Sequence, residues 1–209
     1  MRRLGTIGIG LVVSTMAVGA AKAGVLEHQV LKGKAANATF LSSTPETCAD
    51  GSSGSADTFV NVFGEESLLS SRLSGRTLIN PLSVIVTVTD SCAGTASFAA
   101  GALEGGFNSI TPRRATLNAT VPLTDLSTGE PAGTLIAALT LQGGSIVGFT
   151  TETDRIVFPD NSFQVDQVKS TTRPASLSGS VTLNGVQLIG HLTQAQLFDN
   201  RNSVTDISR

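Results

Sequence analysis

Residues 81–90 read Pro-Leu-Ser-Val-Ile-Val-Thr-Val-Thr-Asp, and they alternate. Leu82, Val84, Val86 and Val88 fall on one side and Ser83, Ile85, Thr87 and Thr89 on the other, a period of two that fits a strand and no helix. The stretch runs into Asp90-Ser91-Cys92-Ala93-Gly94, a cluster of turn formers, and resumes as a strand over 95–102. This predicts a hairpin with a cysteine in its turn. Working outward, Ala115, Leu117, Ala119, Val121 and Leu123 alternate with Thr116, Asn118 and Thr120. Ser127-Thr128-Gly129-Glu130-Pro131 breaks that run before Leu135, Ala137, Leu139 and Leu141 continue it, predicting a second hairpin. Asn184-Gly185 predicts a third, because both residues tolerate the positive φ that a two-residue type I′ turn demands.

Weaker strand signals lie at 27–31, 37–41, 58–63, 146–151, 162–169, 195–198 and 203–207, which brings the expectation to ten or eleven strands. No window keeps apolar residues at helical spacing for three turns. Composition agrees: the 209 residues include 25 Thr, 23 Ser and 22 Gly but no Trp or Tyr. The reading is all-β: a single antiparallel β-sandwich, or partly closed barrel, of about ten strands, forming one domain over 24–209 after a cleaved signal peptide. The polar stretches 49–57 and 65–80 are expected as surface loops. The formal net charge of −2 predicts no basic patch, and hence no nucleic-acid partner.

Residues 1–23 have the layout of a secretory leader. Arg2 and Arg3 supply the positive end, 4–18 the apolar stretch, and Ala21-Lys22-Ala23 the small-x-small site, so cleavage is expected between Ala23 and Gly24. The apolar stretch is too short and too rich in glycine for a membrane span, so the mature chain is expected to carry none. Losing the leader removes three of the 14 basic side chains and none of the 16 acidic ones, which leaves the mature chain at −5 and disfavours adhesion to anionic membranes. General secretion to a periplasmic, cell-surface or extracellular location is the expectation. In that compartment the pair Cys48 and Cys92 reads as one disulfide. Closing the loop between them removes unfolded-state entropy worth about 4 kcal/mol.

Taken in order, Cys48, the Asp90-to-Gly94 turn, Ala115-Thr116-Leu117-Asn118-Ala119-Thr120-Val121-Pro122 with Asp125 and Gly129, and Ser178-Gly179-Ser180-Val181-Thr182-Leu183-Asn184-Gly185 resemble a group of small exported bacterial β-rich proteins of unassigned function. The resemblance spans most of 25–207 and implies no activity. The chain departs from the group's pattern in two places. It lacks a Trp near Leu141, and over 146–153 it is apolar or uncharged apart from Glu152 where the group has a basic, polar strand.

Chemistry-bearing residues are sparse. The two histidines, His28 and His191, stand apart in sequence, and a metal shared between them would need a third ligand such as Glu27. No nucleophile elbow, zinc-protease helix or phosphate loop is present. Glu65-Glu66 with Asp154 or Asp160 could pair as acid and base for glycoside hydrolysis, but the Trp and Tyr on which sugars stack are missing. The stretch from Asp50 to Asp57 could wrap calcium, although it lacks the usual ligand spacing. Asn37-Ala38-Thr39 and Asn118-Ala119-Thr120 match a glycosylation pattern. No catalytic, cofactor or metal residues are therefore assigned. The expectation is a non-catalytic exported binding or accessory protein, monomeric, with an unidentified extracellular or surface ligand. A pilin-like fibre subunit is the alternative, although Ser208 stands where such subunits carry an aromatic, and a secreted hydrolase is the minor one.

Overall fold

The computed structural model describes residues 27–71, 73–105, 107–145, 148–159, 162–188 and 191–207. The expected leader with its Ala23–Gly24 site, Asp160, Ser208 and Arg209 lie outside these residues. The described residues form twelve strands and no helix: β1 (Glu27–Thr47), β2 (Ser53–Ser71), β3 (Gly75–Ile79), β4 (Pro81–Asp90), β5 (Thr95–Glu104), β6 (Phe107–Ile110), β7 (Arg114–Asp125), β8 (Pro131–Gly143), β9 (Gly148–Val157), β10 (Phe163–Leu183), β11 (Val186–Gln187) and β12 (His191–Ile207). Every pairing is antiparallel.

Hydrogen-bonded neighbours run β1-β12-β10-β8-β7-β5-β4-β2 and return to β1, a closed circuit of eight strands. The circuit is not a barrel. β12 leaves β10 beyond the Pro174–Gln196 pair, and the β5–β7 ladder holds only the pairs Ala99–Asp125 and Ala100–Thr124, with a further backbone bond from the Leu126 N–H to the Phe98 carbonyl. At that seam the backbones approach so closely that a Cβ on Gly101 would sit 2.3 Å from the Pro122 carbonyl oxygen. A larger residue there would wedge the seam open.

The sheet folds back on itself so that one face is buried. From one side come Ala36, Ala38, Val60, Val62, Leu82, Val84, Val86 and Leu197, and from the other Leu117, Val121, Leu135, Leu139, Leu141 and Val181. β7 shows the cause, since its exposed and buried residues alternate along nearly its whole length. Each fully buried Val or Leu stabilises the fold by roughly 1.5–3 kcal/mol. The three strongest sequence signals are the strands that line this core.

The structure corrects the strand boundaries elsewhere. The separate signals at 27–31 and 37–41 belong to one 21-residue strand, and those at 195–198 and 203–207 to one of 17 residues. The strand expected at 162–169 is continuous through Pro174 with the first arm of the Asn184-Gly185 hairpin. Most of 49–57 and 65–80, expected as loops, is strand: 53–71 is β2 and 75–79 is β3. In all these places the strands run past the core, so burial no longer imposes alternation and the polar composition imitates a loop.

The Asn184-Gly185 turn is present, with φ of 51° and 81° at its two residues, although its second arm is only two residues long. Asn184 also clips the neighbouring β8, since its Oδ1 accepts a 2.8 Å hydrogen bond from the Thr134 N–H. Gly185→Val forces a β-branched side chain to positive φ, so its unfolding midpoint should fall by the equivalent of about 1 kcal/mol or more in a denaturant titration. An unchanged midpoint would refute this reading of the turn.

Candidate interaction surface

The long strands continue beyond the core as a six-stranded wing, ordered β9, β10, β12, β1, β2, β3. Its rows follow from the register. Lys169 pairs with Arg201, Arg201 with Lys32, Lys32 with Leu68 and Leu68 with Leu78. Directly opposed residues share a face, and residues two apart along a strand share it too. The face that continues from the core side therefore carries Arg155, Lys169, Arg201, Lys32, Lys34 and Arg76. Its only described acids are Asp199 and Glu66, which flank Lys34 in a single row. Arg155 lies 4.3 Å from the ring centroid of Phe163, which confirms that these two side chains share the face.

The opposite face is acidic. Glu152, Asp154, Asp166 and Glu65 fall on it, and no Lys or Arg of the described wing does. Asp154 is directly opposed to Asp166. The expectation of no basic patch is corrected here: net charge averages over two faces that the register keeps apart. Lys32, Arg201 and Lys169 are all solvent-exposed, and three like charges in adjacent strands oppose one another at about 5 Å between Cβ atoms. The same basic face holds exposed apolar side chains, among them Phe149 at 71% and Leu78 at 64%.

The other end of β1 holds the disulfide. Cys48 and Cys92 are joined as expected, 44 residues apart, with 5.0 Å between Cα atoms. The bridge ties the end of β1 to the turn between β4 and β5 and packs against Gly54, where a Cβ would lie 2.4 Å from Cys92 Sγ and 2.8 Å from Cys48 Sγ. Beside it, Glu46 and Asp90 bring carboxylate oxygens within 4.8 Å of each other. The Glu46 Oε1 is buried without a hydrogen-bond partner. Burial, then the Asp90 carboxylate and its hydrogen bond, then the more distant Asp57 raise the Glu46 pKa, against a Cys92 backbone hydrogen bond that lowers it. Cys92 Sγ lies in the same cluster but is committed to the disulfide, so it offers no thiolate.

The remaining sequence candidates do not converge. His28 Nδ1 lies 2.8 Å from the Thr205 hydroxyl, while His191 pairs with Leu41 at the far end of the same ladder. Fourteen residues of strand separate Thr205 from His191, about 46 Å, so the two histidines cannot share a metal. Glu65 and Glu66 are neighbours in β2 and point to opposite faces, with Glu65 accepting from Ser67. In the stretch weighed for calcium and expected as a surface loop, Asp50 Oδ1 is occupied by its own turn, accepting from Ser52 N–H at 2.9 Å and Ser52 Oγ at 2.7 Å. Those bonds lower its pKa, and bonds from Ser127 and Thr128 do the same for Asp125. Asn37 and Thr39 join Asn61 in a polar ladder across β1 and β2.

Two surface depressions are small. One of about 140 Å³ lies at the wing's base between Pro112, Arg173 and Asp199, and one of about 180 Å³ lies beside Val86, Phe98 and Asn184. Pockets for small organic ligands usually span about 300–1,000 Å³. The wing is the larger and more distinctive surface. Its cations stand at 32, 34, 76, 155, 169 and 201, too dispersed for any sequence window to reveal; pairing register alone assembles them. No helix of the described residues is long and apolar enough to cross a membrane.

No family model matches this chain, and no curated protein matches it. Among solved structures, a Nitrosomonas europaea protein provisionally named AttH is similar over 88% of this chain and 52% of its own, at 10% identity and a TM-score of 0.28. The chain thus spans about half the length of that protein, and a likeness at this score carries no functional argument.

Two outcomes follow from the disulfide end. Gly54→Ala should lower the melting temperature of the oxidised protein by several degrees but that of a Cys48→Ala/Cys92→Ala background by much less, because the added methyl meets the sulfurs; equal losses would disprove the contact. Glu46→Gln tests the raised carboxyl. A folded-state pKa above the unfolded one means that the group's contribution is fully present below the ordinary glutamate value of about 4.3 and is lost as pH rises through the folded value. The Gln variant should therefore match wild type in acid and exceed it at neutral pH in a pH series of melts. Asp50 and Asp125 work in the reverse sense, losing their contribution as pH falls below the ordinary aspartate range.

Proposed function

We propose that this chain is an exported, non-catalytic β-sandwich domain that acts outside the cytoplasm, at the cell surface or beyond it, as a binding or accessory protein. The observation that carries this reading is the wing: six paired strand segments extend past the core, with exposed charged side chains on both broad faces and one sign concentrated on each. A surface of that shape suits an extended or macromolecular partner better than a small substrate. The disulfide is compatible with an oxidising compartment, and the leader pattern gives the route. The pilin-like alternative is less well supported, because a fibre subunit awaiting a donated strand needs an open groove, whereas this chain completes its own circuit of eight strands.

The test combines location with surface. Protein recovered from outside the cytoplasm should begin at Gly24 by intact mass and contain no alkylatable thiol. Lys32→Glu with Arg201→Glu should impair the protein's retention at the cell surface or its phenotype, whereas His28→Ala with His191→Ala should leave both intact. Cytoplasmic protein with an uncleaved leader would refute the export reading, and loss of function in the histidine pair would refute the non-catalytic one.

A further inference from the structure

We propose that the wing is a self-association surface, on which the acidic face of one copy stacks against the basic face of the next. The inference rests on reading the wing as the working surface and names its occupant as a second copy of this chain. Two like-charge clusters of opposite sign lie on opposite faces of one sheet. Lys169, Arg201 and Lys32 are directly opposed across three adjacent strands, and Asp154 opposes Asp166 with Glu152 two residues along the same strand. Like charges placed directly opposite destabilise a sheet. Each cluster is what the other lacks, and a shift of one copy by about two strands, roughly 10 Å, would bring the acidic trio over the basic one.

Charge and composition agree with this occupant. Six strands spaced about 4.8 Å apart present roughly 600 Å² per face, and a two-strand shift leaves about four of them overlapping, so a stacked pair would bury about 800 Å² in all, the size of a weak, reversible contact. Both faces also carry apolar residues to exclude water around the charges. Leu68 and Leu78 lie in the row of the basic trio, and Leu31 and Val168 lie in the row of Glu152 on the acidic face. The contacting faces are different surfaces of the same subunit, so the association is head-to-tail and does not close as a two-fold dimer. The sequence expectation was a monomer; the two faces of the wing offer surfaces for association.

Sedimentation velocity of the purified protein over a concentration series tests the proposal, at about 0.01 M and about 1 M salt, between which the screening length falls from about 30 Å to about 3 Å. Wild type should form dimers and longer species at low salt, and its apparent affinity should drop at least tenfold at high salt. Lys32→Glu/Arg201→Glu and Glu152→Lys/Asp154→Lys should each be monomeric. Each variant turns one like-charge pair into an opposite one, at Lys169–Arg201 in the first and at Asp154–Asp166 in the second, so melting temperatures that hold or rise would exclude misfolding as the cause. Mixed together, the two variants should associate again, because the intact acidic face of one meets the intact basic face of the other. Wild type that stays monomeric at low salt overturns the proposal, as does a mixture that fails to pair. A monomer that instead binds anionic vesicles through Lys32 and Arg201 also overturns it. In that last case the binding reading of the wing stands without self-association.

Discussion

The backbone ladder between β1 and β2 is the constraint on which the rest of the structure depends. It runs unbroken from Gln29–Ser71 to Thr47–Ser53. Because side chains alternate with a period of two, a slip of one residue would turn every side chain to the wrong face. The register that places Ala36, Ala38, Val60 and Val62 in the core also carries Cys48 to the turn that holds Cys92 and sets Lys32 opposite Leu68, while the second ladder of β1, to β12, brings Arg201 to Lys32. Core, disulfide and charged surface are therefore tied together through the two ladders of one strand. The buried half fixes that alignment and the exposed half inherits it.

What could be read in the sequence follows the same division. The hairpins built from 81–102, 115–141 and the Asn184-Gly185 turn were legible because burial of one face forces apolar and polar residues to alternate. Cys48 and Cys92 were legible from compartment and parity. Beyond the core, nothing selects alternation. Lys32-Gly33-Lys34 in β1 and Asp199-Asn200-Arg201-Asn202 in β12 read as breaks, yet their backbones are paired on both sides. The charged faces were illegible for a further reason. A face is a property of strand neighbours, and β1 lies between β12 and β2, its partners from opposite parts of the chain.

The contrast between the two ends of β1 separates stability from recognition. At the Cys48 end, the chain is held by a covalent bridge worth about 4 kcal/mol of unfolded-state entropy, with Gly54 shaped to the sulfurs and a buried Glu46 oxygen left without a partner. At the Glu27 end, roughly 65 Å away along the strand, the described residues form no core and no staple, and the wing is held by backbone ladders and cross-strand pairs worth about 0.2–1 kcal/mol each. Regions with few buried apolar contacts open locally at low cost. The closed circuit supplies the global stability that lets the wing tolerate opposed like charges.

Edge strands explain why such a sheet need not aggregate through its rims. β9 leaves a ten-residue edge and β3 one of five, and unpaired edges recruit foreign strands unless charge or brevity blunts them. β9 carries Glu152, Asp154 and Arg155 in consecutive reach, β3 is short and bears Arg76, and just past β9 the Phe158 N–H bonds to the Ser162 carbonyl. The edges are thus guarded while the faces are left open. Association is directed to the faces, where it is governed by charge, adjustable by salt and reversible, and away from the backbone, where it would resemble the irreversible growth of cross-β fibres.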